Sequence, residues 1–292
     1  SHAAQQLSQR SENFKNSAIS DVINRFSNSS FVIISGIFSA QAIALGLGVF
    51  VGFLFKTMSY FKLFKKATLD VFKNISIGYS QIKKESYWKL LVSLIISHAL
   101  LAITTLAPLW YISYRWGGDF LGYFTLVLGT LVLPSALIGR AVGQVFFQRA
   151  SSDFNNGNSF KRLFEDNMKL LMLISIVGFS FVFFFSPVLY PYIFGSSWYT
   201  SGLIAQYYVF AAGTAFVSIP FEKTALIVNA WWYGPSWYIA RVISVLSVIY
   251  FVDLYEATFF IFIFWLTMQI AIMHLIDISI CYLFSCKNTP FK

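Results

Sequence analysis

The sequence predicts an all-α, polytopic membrane protein, a bundle of about eight spanning helices, and three observations predict it. Of its 292 residues, 57% are hydrophobic and only 11% charged, with a mean hydropathy of +0.67, a balance that no water-soluble core requires. The apolar residues fall in long runs, most of them long enough to cross a roughly 30 Å hydrocarbon layer at about 1.5 Å per residue. The 33 Phe, 16 Tyr and 8 Trp suit lipid-facing surfaces and interfacial belts.

The elements follow in order. Residues 1–16 are polar and read as a loop or short interfacial helix. Residues 17–38 form the least apolar span, with Ser17, Asp21, Asn24, Arg25, Asn28 and Ser35 on one helical face. Such a stripe has to be buried against protein or water, because lipid cannot satisfy it. Asp21 and Arg25, four apart, can neutralise each other locally. Residues 41–58 make a second span, packed through Gly46, Gly48 and Gly52 and joined to the first by a tight hairpin. The 59–89 interval is a polar connector carrying Lys62, Lys65, Lys66, Lys73, Lys83, Lys84 and Lys89. It divides the chain into residues 1–58, part of a first bundle, and residues 90–292, a second bundle of six helices. Those six are expected at about 90–113, 119–150, 167–194, 202–228, 236–252 and 257–284, with residues 151–166 as a loop and short surface helix.

The span from Asp119 to Ala150 organises the second bundle. Pro134 lies in its middle; it lacks an amide hydrogen and crowds the carbonyl of Thr130, so a kink and a candidate hinge are expected there. Gly139 and Gly143 form a GxxxG step that admits a neighbouring backbone. Arg140, Gln144 and Gln148 recur every fourth residue and make one face polar.

Cations set the expected orientation. With Lys56, the connector region holds eight Lys; Arg149, Lys161, Arg162, Lys169, Lys287 and Lys292 fall on the same side. Opposite loops hold only Arg115, against Asp119, Asp253 and Glu256. The asymmetry places both ends of the chain in the cytoplasm, and it accounts for the net charge of +9 without nucleic acid. Arg25, His98, Arg140, Lys223, Arg241, His274 and Asp277 then lie within roughly 15 Å of the cytoplasmic face. Cations at that depth can snorkel to the headgroups. Alternatively they line a cationic vestibule that captures a lipid pyrophosphate, with Arg25, Arg140, Asp21, Gln144, Lys223 and Arg241 as candidate contacts. His274 and Asp277, three apart, are a candidate hydrogen-bonded pair and proton relay or a structural interhelical bond.

Catalytic chemistry finds little to build on. His2, His98 and His274 have no metal-ligand spacing, and no GxSxG, Walker or dinucleotide fingerprint occurs. No enzyme activity, metal or cofactor is expected. Cys281 and Cys286 form neither a disulfide framework nor a zinc motif. The chain begins at Ser1 with no basic-then-apolar leader, so further sequence is expected upstream.

Three stretches carry a family resemblance. LGYFTLVLGTLVLPSALIGRAVGQVFFQRAS, Leu121 to Ser151, is similar to a glycine-tyrosine start, mid-span proline and GQVFFQRAS ending of the polysaccharide-biosynthesis flippases. These are translocases of lipid-linked, O-antigen-type oligosaccharides in the multidrug/oligosaccharidyl-lipid/polysaccharide exporter superfamily. YPYIFGSSWYTSG, Tyr190 to Gly202, resembles the family's FGxxWxxAG segment with Ser201 in place of Ala, and ENFKNSAISDVINRF, Glu12 to Phe26, resembles its fifth-helix entry. Arg140 stands where a small residue is usual. The resemblance implies part of a two-bundle MATE-like fold, from helix five to helix twelve, working by alternating access in a bacterial inner membrane. It implies movement of an undecaprenyl-pyrophosphate-linked oligosaccharide from the cytoplasmic to the periplasmic leaflet for lipopolysaccharide and other surface glycans. The partners so implied are the lipid-linked oligosaccharide, membrane lipid, and a glycan polymerase or other assembly proteins. The alternatives are a multidrug exporter of the same superfamily, a non-transporting scaffold, or a transferase of a glycan-assembly complex.

The orientation is directly testable. Cysteines placed at Lys73 and Lys84 resist an impermeant thiol reagent added outside intact cells if the connector faces the cytoplasm; ready labelling inverts the topology.

Overall fold

The computed structural model describes residues 84–288, and the expected spans at 17–38 and 41–58, with nearly all of the connector, lie outside them. From Glu85 on, the described residues form one compact unit. The described residues are helical, with no strand. The helices are α1 (Lys84–Trp116), α2 (Gly118–Val127), α3 (Leu133–Asn155), α4 (Lys161–Phe194), α5 (Tyr199–Ser218), α6 (Thr224–Ile227), α7 (Tyr233–Leu254) and α8 (Phe259–Ser285). A π turn, Leu128–Val132, joins α2 to α3; 3₁₀ turns at Ser196–Trp198 and Ile219–Phe221 precede α5 and α6. Six of the resulting rods, Val92–Trp116, Gly118–Asn155, Lys161–Phe194, Ser196–Ile227, Tyr233–Leu254 and Phe259–Ser285, are long and apolar enough to cross a membrane.

Several boundaries differ from expectation for physical reasons. Helix α1 begins inside the expected connector, since Lys and Glu are good helix formers. No separate surface helix follows residue 151: α3 runs to Asn155, and α4 is continuous from Lys161. Helix α7 starts at Tyr233 and takes Gly234-Pro235 into its first turn, where proline lacks a donor that would have no partner anyway. The expected 202–228 span is interrupted at Ile219–Phe221, where Pro220 sits.

Helix α5 is the bundle's axis, packed mainly on α4 and α8 and flanked by α2 and α3. In lipid the hydrophobic effect does not hold helices together, so close approach and interhelical hydrogen bonds have to. The α4–α5 seam has both. Ser186 Oγ donates to the Gly202 carbonyl at 2.9 Å, Ser175 Oγ to the Gly213 carbonyl at 3.0 Å, and Gln206 Nε2 to the Phe183 carbonyl at 2.9 Å. A Cβ on Gly202 would stand 2.6 Å from the Ser186 carbonyl oxygen, so only glycine admits this approach.

Two buried aromatic clusters fill the two ends. The proximal one, at the turn 156–160, gathers Phe146, Phe160, Phe164, Phe221, Tyr233 and Phe284. The distal one, at the α1–α2 and α4–α5 junctions, gathers Phe124, Tyr190, Tyr208, Phe259, Phe262 and Ile112. Helix α1 reaches α7 and α8 through polar and aromatic contacts: Ser93 Oγ donates to the Trp231 carbonyl at 2.5 Å, and Tyr111 OH to Asp253 at 3.3 Å, with Trp116 edge-on to Phe259. The α1–α2 turn is as short as a chain permits. Gly117 alone separates α1 from α2 at φ 89°, a left-handed geometry that a side chain would strain.

Gly202→Ala is expected to lower the detergent-solubilised protein's stability by about 1–3 kcal/mol through overpacking against the α4 backbone. Gly129→Ala, where an added Cβ meets nothing within 4 Å, is the control. Thermal melting of both variants checks the difference.

Candidate functional site: a charged cluster at a helix break

The site starts from a break. Pro220 ends α5, and the chain crosses a 3₁₀ turn before the single helical turn of α6. Helix α3 is pressed against that break. A Cβ on Gly139 would stand 2.9 Å from Ile219 Cγ2, and one on Gly143 would stand 3.1 Å from the Pro220 Cα. The GxxxG face therefore receives a turn of backbone and not a second regular helix.

Glu222 and Lys223 leave the break with their side chains exposed. Glu222 feels the fields of Asp277 on α8, Arg241 on α7, Arg140 on α3 and its neighbour Lys223. Of the helices that carry these charges, α3 packs against the break and α8 against the α6 turn that follows it. Lys223 Nζ lies 5.9 Å over the Phe147 ring of α3, and the Arg241 guanidinium lies 5.9 Å from the Tyr238 ring centroid. Arg241 is half-buried, and its field also reaches Tyr208, Tyr238, His274 and Asp277. Among the described residues, no carboxylate oxygen comes within 4.0 Å of a nitrogen of Arg140, Lys223 or Arg241; the ion pair formed there is Lys161–Glu165, at 3.7 Å.

Behind the cluster, Asp277 is buried and satisfied. Its Oδ2 accepts from Ser218 Oγ at 2.7 Å and its Oδ1 from Tyr233 OH at 2.6 Å. One carboxylate on α8 thereby fixes the last residue of α5 and the first of α7. Cys281 Sγ packs alongside, 3.5 Å from the Phe221 carbonyl oxygen and 3.9 Å from Asp277 Oδ1. The expected His274–Asp277 hydrogen bond is absent: the short aspartate side chain aims across to α5 and α7, not along its own helix, and His274 is buried beside it.

The other residues singled out in the sequence are placed as follows. Arg140 and Gln144 are exposed, one helical turn apart on α3. Arg25 and Asp21 lie outside the described residues. His98 is exposed on α1, its Nδ1 2.7 Å from the Leu94 carbonyl oxygen. Pro134 occupies the first turn of α3, directly after the π turn. There the Leu133 amide bonds to the Leu128 carbonyl, five residues back. The proline has no donor for Thr130, and the wider turn moves that carbonyl away from its ring. The Thr130 hydroxyl donates to the Leu126 carbonyl at 2.9 Å, so its hydrogen bond with Tyr190 on α4 uses the tyrosine proton.

Sequence reading assigned no role to Glu222, Ser218 or Tyr233. The signal for the first was present in Ser218-Ile-Pro-Phe-Glu-Lys223, a mid-span proline with charges two and three residues later. Ser218 and Tyr233 carry no signal of their own, because serine and tyrosine are ordinary inside spans. No protein-family model, curated protein or solved structure matches the chain.

Ser218→Ala and Tyr233→Phe are each expected to cost about 1.5–3 kcal/mol, the range for hydrogen bonds to a charged group. Because both bond to one carboxylate, their double mutant should depart from additivity by at least about 0.5 kcal/mol, and an Asp277→Asn background should shrink both effects. Denaturation of the purified full-length protein measures the cycle.

Proposed function

We propose that this chain is part of a flippase that moves a pyrophosphate-linked oligosaccharide lipid from the cytoplasmic to the periplasmic leaflet of a bacterial inner membrane. The observation that carries the reading is that Arg140 on α3, which packs against the helix break, Lys223 at that break and Arg241 on α7 have, among the described residues, no carboxylate oxygen within 4.0 Å. An anionic head must shed water somewhere on its route, and fixed guanidinium and ammonium donors replace that water with charge-assisted hydrogen bonds. Guanidinium suits phosphate oxygens in particular, through paired N–H donors.

The distribution of charge along the bundle supports the direction. Arg149, Lys161, Arg162, Lys169 and Lys287 cluster toward the proximal end, whereas the distal end carries Arg115 with Asp119, Asp253 and Glu256. The positive-inside rule makes the proximal end cytoplasmic and opens the cation cluster toward the leaflet where lipid-linked sugars are assembled. The π turn and Pro134 supply a bend point one to two turns from Arg140 and the Gly139/Gly143 contact. Bending there would move cation and packing face together, as alternating access requires.

In the full-length protein, Arg140→Gln, Arg241→Gln and Arg25→Gln should each reduce glycan export at unchanged protein level. Loss of one charge-assisted contact, about 1.5–3 kcal/mol, corresponds to roughly ten- to hundredfold in affinity. Full export by the Arg140/Arg241 double variant would assign these cations to headgroup anchoring alone.

A further inference from the structure

Helix α4 lies on the outside of the bundle: only 11% of its most apolar stretch is buried, so most of that surface is left to lipid. Where α4 meets α5 and α8, the surface is not closed. A groove of about 420 Å³ runs along the seam, within the roughly 300–1,000 Å³ range of ligand clefts. Its floor is low because Gly213 has no side chain; a Cβ there would stand 3.1 Å from Ser175 Oγ and 3.4 Å from Phe179 Cδ2. Leu275 of α8 lines it across from α4. Phe183 and Phe210, their ring centroids 5.7 Å apart, stand at its distal end.

Length and charge say what fills it. From Met172 to Phe184 the groove follows about 18 Å of helix, close to the roughly 15 Å of half a hydrocarbon core. It begins one turn beyond Lys169, the last charged residue before the apolar run of α4, so it occupies the proximal leaflet. By the 3.6-residue turn, Lys161, Glu165 and Lys169 continue the groove's stripe toward the proximal end, and Asp166 lies about a quarter turn away. Glu165 is already engaged: it accepts from Tyr282 OH of α8 at 3.1 Å and pairs with Lys161 at 3.7 Å. Lys169 is exposed and, among the described residues, has no carboxylate oxygen within 4.0 Å. An apolar slot about one leaflet long thus opens beneath an exposed ammonium.

We propose that this groove holds an acyl chain of an anionic phospholipid of the proximal leaflet, with the lipid phosphate at Lys169. The chain fills the space left at Gly213 and supplies dispersion contacts that a void would forfeit. The ammonium selects the headgroup; one lysine beside an anionic lipid surface is worth about fivefold in affinity. The bound lipid covers the Ser175–Gly213 hydrogen bond and braces α4 on α5. This site holds whatever cargo the bundle moves, because it depends on the membrane span and not on the substrate.

Ser180 lines the groove, is exposed, and its hydroxyl makes no hydrogen bond among the described residues. Ser180→Phe therefore fills the slot without breaking a bond, and a matching melting curve confirms the fold. The experiment titrates palmitoyl-oleoyl phosphatidylglycerol, or phosphatidylcholine with the same chains, into purified full-length protein and follows the first bound lipid by native mass spectrometry. The proteins are wild type, Lys169→Gln, Ser180→Phe and Arg149→Gln, the last removing an exposed cation of α3 at the same end. The expected result is a wild-type Kd about fivefold lower for phosphatidylglycerol than for phosphatidylcholine. Lys169→Gln removes that preference, Arg149→Gln keeps it, and Ser180→Phe loses the tightest site for both lipids. Equal affinities in wild type overturn the proposal. So does a preference that Arg149→Gln lowers as much as Lys169→Gln, which assigns selection to the net charge of the proximal end. If Ser180→Phe leaves the tightest site intact, the chain lies elsewhere and the proposal falls. A wild-type dimer that Ser180→Phe separates gives the groove to a second copy of this chain and overturns it as well.

Discussion

The Asp277 carboxylate, held between the Ser218 and Tyr233 hydroxyls, is the interaction on which the proximal half of the bundle depends. A carboxylate at this depth is costly unless its oxygens find donors. Ser218 is the last residue of α5 and Tyr233 the first of α7, so satisfying the acid fixes both ends of the 219–232 link. That link carries Pro220, which Gly143 receives, and Glu222 and Lys223, the lysine set over the Phe147 ring of α3. Without the clasp, the turn would have only apolar packing to set its position, and apolar packing in lipid is weakly directional.

How much of this was legible beforehand differs by residue type. Long apolar runs report membrane spans plainly, because the physics they encode is one-dimensional, and the six rods in the described residues lie where runs of that kind were read. Proline reports a disruption but not its form. Pro134 was read as a kink, and the helix answers with a π turn and a threonine–tyrosine bond to α4; Pro220 lies inside the expected 202–228 span, and there the helix breaks. Helix boundaries were misjudged where charged residues continue a helix beyond the apolar run, as at Lys84 and Lys161.

Polar partnerships were the least legible. The pairing of His274 with Asp277 followed from their spacing on one helix, but spacing along a helix says nothing about what the neighbouring helices offer. Asp277 instead meets residues 59 and 44 positions away in the chain. The charged residues of the cluster are likewise scattered from Arg140 to Asp277, and only packing reveals that they share a region. Their depth was readable by counting from helix ends; their surroundings required knowing that α3 lies against the break and that α8 packs on α6 just after it.

The break itself explains why charge can gather there. A continuous helix satisfies its own backbone and presents a side chain every 100° around a closed cylinder. Interrupting it at Pro220 sends Glu222 and Lys223 outward where an unbroken α5 would have continued its buried seam with α4 and α8. The small residues of α3 let that irregular segment sit inside the bundle, since non-helical backbone at membrane depth is tolerated only where protein or a watery cavity covers it. Glycine at 139 and 143, proline at 220 and the carboxylate at 277 are therefore one arrangement: two glycines receive the turn, the proline makes it, and the acid holds its ends. Lys223 then needs no dedicated scaffold, because a turn so fixed already holds its ammonium over the Phe147 ring of α3.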